Sequence, residues 1–320
     1  MMTKLFMVIP CYNEEEVLPE TSKRMIEKYN SLIEKKYISK ESKIMLVDDG
    51  SKDKTWSLIE QLVNDNEYFV GLKLSRNRGH QNAVLAGLMT AKDEADVVIS
   101  MDADLQDDIN AIDRFLEEYE KGYDVVYGVR SSRKTDTVFK RSTALGFYKL
   151  MQKMGVEVIY NHADFRLMSK RVLMHLADYK EVNLFLRGMV PLVGFKSTTV
   201  EYERAERFAG KSKYPLKKMI SFALDGITSL SVKPIRMIFS LGLIIFIISL
   251  IMLIYALIRY IMGLTVAGWT SILGSIWLLG GIQLLAMGVV GEYIGKIYNE
   301  TKARPRFIIE TYLKKEKHED

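Results

Sequence analysis

The fold is decided by the stretch Asp96-Val97-Val98-Ile99-Ser100-Met101-Asp102-Ala103-Asp104-Leu105-Gln106-Asp107. Its first half is a short apolar run of β-branched residues with a polar start, which is typical of a buried strand. Two carboxylates follow at the carboxyl end of that strand, and they are costly there unless a cation binds them. A hard divalent ion such as Mg²⁺ binds one or two carboxylates and takes substrate phosphates as further ligands. We therefore expect a metal–diphosphate site, with an acidic surface turn as the alternative.

The first 130 residues around this stretch alternate between strand and helix patterns. Such alternation predicts a mostly parallel sheet with helices on both faces. The predicted strands are Leu5–Ile9, Lys43–Val47, Val70–Leu74, Val97–Met101 and Val125–Tyr127. The predicted helices are Glu14–Tyr29, Lys54–Val63 with Asp53 as N-cap, Gln81–Thr90 and Ile109–Glu120.

Three polar clusters fall at the predicted carboxyl ends of strands, at residues 10–14, 48–51 and 102–106. In open sheets of this kind, ligands bind beyond the carboxyl ends of the strands. Three clusters at one sheet edge favour a binding site over three unrelated solvated loops.

The last third of the chain has a different composition. Met237–Ile258 and Tyr260–Gly291 contain no charged residue, and Arg259 separates them. Each stretch is long enough to cross a bilayer, which takes about 20 residues. They predict a transmembrane helical hairpin, with two buried core helices as the alternative.

Basic residues cluster on both sides of this hairpin, between Arg204 and Arg236 and again after Gly291. The positive-inside rule then places both termini in the cytoplasm and makes the protein a multi-pass protein of the cell (inner) membrane. The net charge of +5 is interpreted as attraction to anionic lipid head groups and not to nucleic acid. The single cysteine, Cys11, is consistent with a reducing compartment.

These patterns divide the chain into four parts. We predict a cytoplasmic domain at 1–212, a juxtamembrane amphipathic helix at 213–234 lying in the interface, a hairpin at 235–292 (about 236–258 and 267–290) and a cytoplasmic basic tail at 293–320. The end of that tail, about Tyr312–Asp320, is predicted to be disordered.

Five motifs together resemble family 2 glycosyltransferases with the GT-A fold, an α/β fold with a Rossmann-like, mostly parallel sheet. The segments Val8–Glu14, Val47–Thr55 and Met101–Gln106 carry the family resemblance, and Asn161–Met168 and Arg207–Tyr214 narrow it. With the two apolar spans, the chain resembles bacterial polyprenyl-phosphate glycosyltransferases of the bactoprenol glucosyltransferase type, which are similar to dolichyl-phosphate mannose synthases. The resemblance covers residues 4–300.

The resemblance implies a role for particular residues. The nucleotide-sugar would contact Pro10, Tyr12, Glu14, Asp49 and Asp102, and Mg²⁺ or Mn²⁺ would be held by Asp102, Asp104 and Gln106. Asp164 and Arg166 would be the catalytic pair, and the anionic phosphates would be bound by Arg130, Arg207, Lys211 and Lys213. Asp107 and Asp108 are predicted to begin the next helix, and His80 is interpreted as an ordinary loop histidine.

The implied activity is inverting transfer of a hexose, with glucose as the best candidate, from a UDP-sugar to undecaprenyl phosphate. The alternatives are a UDP-GlcNAc- or GDP-mannose-using enzyme, or a catalytically inactive membrane-anchored scaffold that binds nucleotide sugars. Further expected partners are the lipid bilayer, a second copy packed through the glycines of the second span, and a separate flippase and downstream transferase.

Overall fold

A computed structural model describes residues 2–131, 154, 162–205, 227–229, 231–262 and 268–315. Of the predicted helix at 139–154 only residue 154 is described, and of the predicted amphipathic helix at 213–234 only 227–229 and 231–234 are described.

The described residues form one mixed sheet in the order β7-β5-β6-β4-β1-β2-β3-β8. Its strands are β1 Leu5–Cys11, β2 Lys43–Asp48, β3 Phe69–Leu74, β4 Val97–Ser100, β5 Val125–Arg130, β6 His162–Ser169, β7 Ser197–Tyr202 and β8 Ile309–Lys314. The central strands β3, β2, β1 and β4 are all parallel, as are β5 and β7. Strands β6 and β8 pair antiparallel with their neighbours. The predicted α/β class with a GT-A-type, mostly parallel sheet is confirmed.

Helices cover both faces of the sheet. They are α1 Leu18–Glu34, α2 Thr55–Asp65, α3 His80–Ala91, α4 Ala111–Glu120, α5 Lys170–Leu176 and α6 Leu186–Leu192. Side chains alternate along each strand, so Leu5, Met7 and Ile9 of β1 join one core, with α1, α2 and α4. Phe6 and Val8 join the other core, with α3, α5 and α6.

The start of α1 and the N-cap of α2 differ from the prediction. Helix α1 begins at Leu18, because residues 14–17 form a turn in which Glu14 C=O accepts from Leu18 N–H at 3.0 Å. The N-cap of α2 is Lys54 and not Asp53. The Asp53 carboxylate instead accepts a hydrogen bond from Thr55 N–H in a local turn before the helix.

The prediction of a disordered end at Tyr312–Asp320 is wrong for residues 312–314, which belong to strand β8. Strand β8 pairs with β3 from Val70 to Leu74, and Leu313 packs against the core under α1 and α2. The strand covers backbone groups of β3 that would otherwise be an open sheet edge. Glu94 holds the strand from the side, accepting from Tyr312 Oη at 2.9 Å and Lys314 Nζ at 2.6 Å.

Two long helices follow the sheet domain. Helix α7 spans Lys233–Ile261 and helix α8 spans Trp269–Lys302, so the first predicted apolar stretch and residues 269–291 of the second are helical. In the part of the chain that the structure describes, one segment, Leu278–Lys302, is long and apolar enough to cross a membrane. Large apolar side chains of both helices are exposed, Phe239 at 73% and Leu285 at 74% among them.

We predict that Glu94→Ala loosens strand β8. The substitution removes two charge-assisted or phenolic hydrogen bonds at a partly exposed position, a loss of about 1 kcal/mol. Hydrogen exchange of the amides at 309–314 should therefore become faster, while exchange in β1 stays unchanged. Glu41→Ala is the control, because it removes an ion pair to Lys4 that does not touch β8. Unchanged exchange at 309–314 would contradict the bracing role of Glu94.

Candidate active site

The loop after β1 is bonded to the loop after β2, so two of the predicted polar clusters form one surface. Asn13, whose φ is 53°, donates its N–H to Ser51 Oγ at 3.0 Å. The predicted nucleoside residues of the first strand lie here: Pro10 is buried, and Tyr12 and Glu14 are half-buried. Their contact with a nucleoside stays a prediction.

Asp49 fixes the loop between β3 and α3. Its carboxylate accepts from Arg78 N–H at 2.7 Å and from Gly79 N–H at 2.9 Å. The loop lies so close to Gly50 that a Cβ there would be 2.6 Å from the backbone of Arg76, and φ at Gly50 is +67°. Asp49 therefore fixes the position of the loop between β3 and α3 at the sheet edge. Its contact with the nucleoside remains a prediction.

The acidic run after β4 presents its oxygen-bearing side chains to one side. Asp102, Asp104 and Gln106 are half-buried, whereas the intervening Met101, Ala103 and Leu105 are buried. No group of three or more histidine, cysteine or acidic side chains that could hold a metal occurs among the described residues. Two carboxylates and an amide oxygen nevertheless suit Mg²⁺ or Mn²⁺, which keep water or substrate phosphates as remaining ligands.

Strand pairing brings this run to Asp164. Strands β4 and β6 are antiparallel, and their last pair is Ser100 with Arg166, so Asp102 and Asp164 each lie two residues beyond that pair at the same end of the two strands. Ser100 Oγ also donates to the backbone C=O of Asp164 at 2.6 Å. Asp102 and Asp164, which are 62 positions apart in the sequence, thus lie at one sheet edge.

Two arginines hold the Asp164 carboxylate. Arg166, which is 1% exposed, donates from Nη2 to Oδ1 at 2.9 Å. Arg187, near the start of α6, donates from Nε to Oδ1 at 3.1 Å and from Nη2 to Oδ2 at 3.0 Å. Burial raises the pKa of Asp164, but Arg187, His80 and Arg166 outweigh it and hold that pKa well below its usual range. Asp164 is therefore ionised at neutral pH.

His80 lies between the two carboxylates. Its Nε2 is 3.4 Å from Asp102 Oδ1 and 3.6 Å from Asp164 Oδ2. Burial lowers the pKa of His80, but Asp102 and Asp164 outweigh it and raise the pKa to about 9. Burial raises the pKa of Asp102, and the neighbouring Asp164 and Asp104 act in the same direction. The edge therefore carries crowded negative charge that one imidazolium and two guanidinium groups partly balance.

The prediction that Asp107 and Asp108 begin the next helix is wrong. Helix α4 begins at Ala111, and Asp107 is buried, accepting a hydrogen bond from Tyr202 Oη at the end of β7. Arg130 Nη2 lies 3.7 Å from its Oδ1. Burial and the nearby Asp102 raise the pKa of Asp107 to about 6. The residue faces inward because an arginine and a phenol pair with it there.

The end of β7 is also attached to the acidic run. Ala205 N–H donates to the backbone C=O of Gln106 at 2.9 Å, and Arg204 Nη2 donates to Gln106 Oε1. The predicted phosphate-binding residues come next in the chain: Arg207, Lys211 and Lys213 lie outside the described residues. Arg204, the first residue of the basic stretch, therefore contacts the acidic turn.

Sequence patterns did not identify two of these groups. His80 was interpreted as an ordinary loop histidine, and Arg187 carried no motif at all. Both reach Asp164 only through the packing of α3 and α6 on the sheet, and neither lies next to a recognised motif in sequence. The one available signal was the position of His80 just beyond the carboxyl end of β3.

Comparisons with known proteins identify the family of the chain. The model of Glycosyl transferase family 2 matches residues 6–177. The chain is 58% identical to the uncharacterized glycosyltransferase YkoT of Bacillus subtilis, over 97% of this chain and 92% of that protein. It is 43% identical to the bactoprenol glucosyl transferase of Shigella phage SfX, over 96% and 99% of the two chains.

A solved structure with a similar fold is the mannosyltransferase PcManGT of Pyrobaculum calidifontis in complex with GDP-Man and Mn²⁺. It is 13% identical, with a TM-score of 0.45 over 92% of this chain and 88% of that chain. The family match and the near-complete alignment with the relatives indicate the same family. This chain is an enzyme of the family 2 glycosyltransferases.

Proposed function

We propose that the protein transfers a hexose, with glucose as the best candidate, from a UDP-sugar to undecaprenyl phosphate, with inversion at the anomeric carbon. The observation that carries the proposal is the ionised Asp164, held by Arg166 and Arg187 opposite the Asp102 run. Full-length similarity to bactoprenol glucosyl transferases supports the lipid acceptor and the sugar.

The donor would lie along the carboxyl edge of β1, β2 and β4. Tyr12 and Glu14 follow β1 and Asp102 follows β4, and Asp49 supports the loop between β3 and α3. A carboxylate only accepts hydrogen bonds, so it suits a uracil imide N–H or a ribose hydroxyl.

A divalent cation fits the acidic run. Asp102, Asp104 and Gln106 would hold it, and Arg204 would have to release Gln106 Oε1 for that residue to act as a ligand. When bound, the ion offsets charge on the departing nucleoside diphosphate.

Asp164 acts by orientation and electrostatics in this proposal. A general base works best when its pKa lies near the operating pH, whereas the pKa of Asp164 lies well below that range. The nucleophile is a phosphate with a second pKa of about 6, so it is largely ionised without help. Asp164 would then stabilise positive charge at the anomeric carbon, and Arg166 would keep its carboxylate in place.

Fixed cations would bind the anionic groups of donor and acceptor. Arg130 lies beside the acidic run, and Arg207, Lys211 and Lys213 follow the strand end that is bonded to Gln106. Guanidinium groups bind phosphate oxygens in pairs, which favours arginine at such positions.

The location proposed is the cytoplasmic face of the cell membrane, with α7 and α8 crossing the bilayer as a hairpin. Strand β8 supports this topology, because it belongs to the same sheet as the N-terminal strands. Any crossing made by α7 must then be reversed by α8. A domain tethered in this way meets a lipid phosphate at high effective concentration.

The proposal also includes protein partners. Two membrane helices are too few for a translocation path, so a separate flippase would move the lipid-linked sugar and a further transferase would use it. A second copy could pack on glycines of α8, such as Gly280, Gly281 and Gly288, where an added Cβ meets nothing within 4 Å.

A donor panel tests the activity. Purified full-length protein with undecaprenyl phosphate should transfer label from UDP-glucose into an organic-extractable lipid, and EDTA should abolish the transfer until Mg²⁺ or Mn²⁺ is restored. UDP-GlcNAc and GDP-mannose test the two alternative donors. Absence of lipid product from every donor would favour the inactive scaffold.

Asp164→Asn tests how Asp164 acts. We expect kcat to fall at least about 100-fold, because the fixed negative charge near the anomeric carbon is lost. The residual activity should follow the same pH profile as the wild type, since Asp164 stays ionised while the lipid phosphate titrates. Residual activity that climbs with pH beyond the wild-type profile would identify Asp164 as a general base.

Arg187→Ala tests the second arginine of the pair. The variant should lower kcat by about 100-fold with a small change in KM for the donor, because Asp164 loses its two-pronged contact. Arg171→Ala is the matched control, since Arg171 forms an ion pair with Asp124 while 61% exposed, away from the site. Equal activity of the two variants would show that Arg187 does not contribute to catalysis.

A further inference from the structure

Glu300, near the end of helix α8, binds the segment that leads into α6. Its Oε2 accepts from Val182 N–H at 2.9 Å, and its Oε1 accepts from Asn183 N–H at 2.8 Å and from Asn183 Nδ2 at 2.6 Å. Asn183 Nδ2 also reaches the backbone C=O of Lys296 at 3.3 Å. One carboxylate thus binds two consecutive backbone amides of the sheet domain.

The position of Glu300 is unfavourable for the helix itself. It lies two residues before the last residue of α8, where the partial negative charge of the helix end repels a carboxylate. Helix stability therefore does not explain a glutamate at this position. Its hydrogen bonds to the segment 182–183 do.

The same segment leads directly to the catalytic carboxylate. Three residues after Asn183, Leu186 donates its N–H to Gln81 Oε1 at 2.9 Å and accepts from Arg166 Nη1 at 3.4 Å. The next residue is Arg187, which holds both oxygens of Asp164. Between these points the chain is anchored by Phe185 and Leu186, both 2% exposed. The segment from 182 to 187 is therefore short and fixed at both ends.

We propose that Glu300 is a positioning residue for the transfer reaction. It holds the segment 182–185 against helix α8 and thereby sets Arg187 on Asp164. The apolar stretch Leu278–Lys302 contains Glu300, so the contact links the candidate membrane helix to the reacting edge of the sheet. The inference rests on the proposed function, because it assigns Glu300 to the same site.

Glu300→Gln is a sharp test because it keeps size and shape. Both carboxylate oxygens accept N–H groups, so the amide nitrogen of glutamine must face a donor at either Val182 or Asn183. We expect kcat to fall by about 10- to 100-fold, as for a small misplacement of a catalytic group. KM for UDP-glucose should stay within about twofold, because the donor contacts lie at the other strands.

Two comparisons separate positioning from simple stabilisation. Glu292→Gln changes an exposed carboxylate on the same helix and should behave as wild type. In an Arg187→Ala background, Glu300→Gln should have almost no further effect on kcat, because both changes disturb one unit. Multiplying effects in the double variant, or a lower Tm with unchanged kcat, would overturn the proposal.

Hydrogen exchange gives a readout that needs no activity. Glu300→Gln should speed exchange at the amides of Val182, Asn183 and Leu186 relative to the Glu292→Gln protein in the same detergent. Faster exchange at Val182 and Asn183 with unchanged exchange at Leu186 would break the link to Arg187 and overturn the inference. If the wild type transfers no sugar, the proposed function fails, while this exchange pattern still decides whether Glu300 acts on the segment.

Discussion

The concentration of negative charge at one sheet edge is the constraint on which the site depends. The antiparallel pairing of β4 with β6 brings Asp102 and Asp164 to the same end of the two strands, and Asp104 and Asp107 lie nearby. Such a cluster is stable only where cations face it, and Arg166, Arg187, His80 and Arg130 supply them. The strand β6, the helix α6 and the loop before α3 are therefore arranged around this charge as much as around the apolar cores.

The sequence motifs identified the parts of this edge that come from local order along the chain. A β-branched run followed by Asp102 and Asp104 predicts a strand with carboxylates at its end, and the strand is present. Asp164 is identified only through its resemblance to a family motif, because the residues around it do not by themselves predict catalysis. The family that the motifs indicate is confirmed by the family model, which matches residues 6–177.

What the sequence missed depends on contacts between distant segments. Arg187 and His80 become relevant only when α6 and α3 pack on the sheet, and Asp107 turns inward because Tyr202 arrives from β7. The end of strand β8 falls in the predicted disordered end because charged residues dominate the composition of 312–320. Its alternation of Ile309, Thr311 and Leu313 becomes meaningful only beside the open edge of β3.

Strand β8 also imposes an order on biosynthesis. Chains emerge from the ribosome with the N-terminal part first, so β3 must wait for its partner until helices α7 and α8 have both been made. During that interval the outer backbone groups of β3 are unpaired and open to other strands. The sheet domain is therefore completed only after the two apolar helices have left the ribosome, and its final edge closes as the last step of assembly.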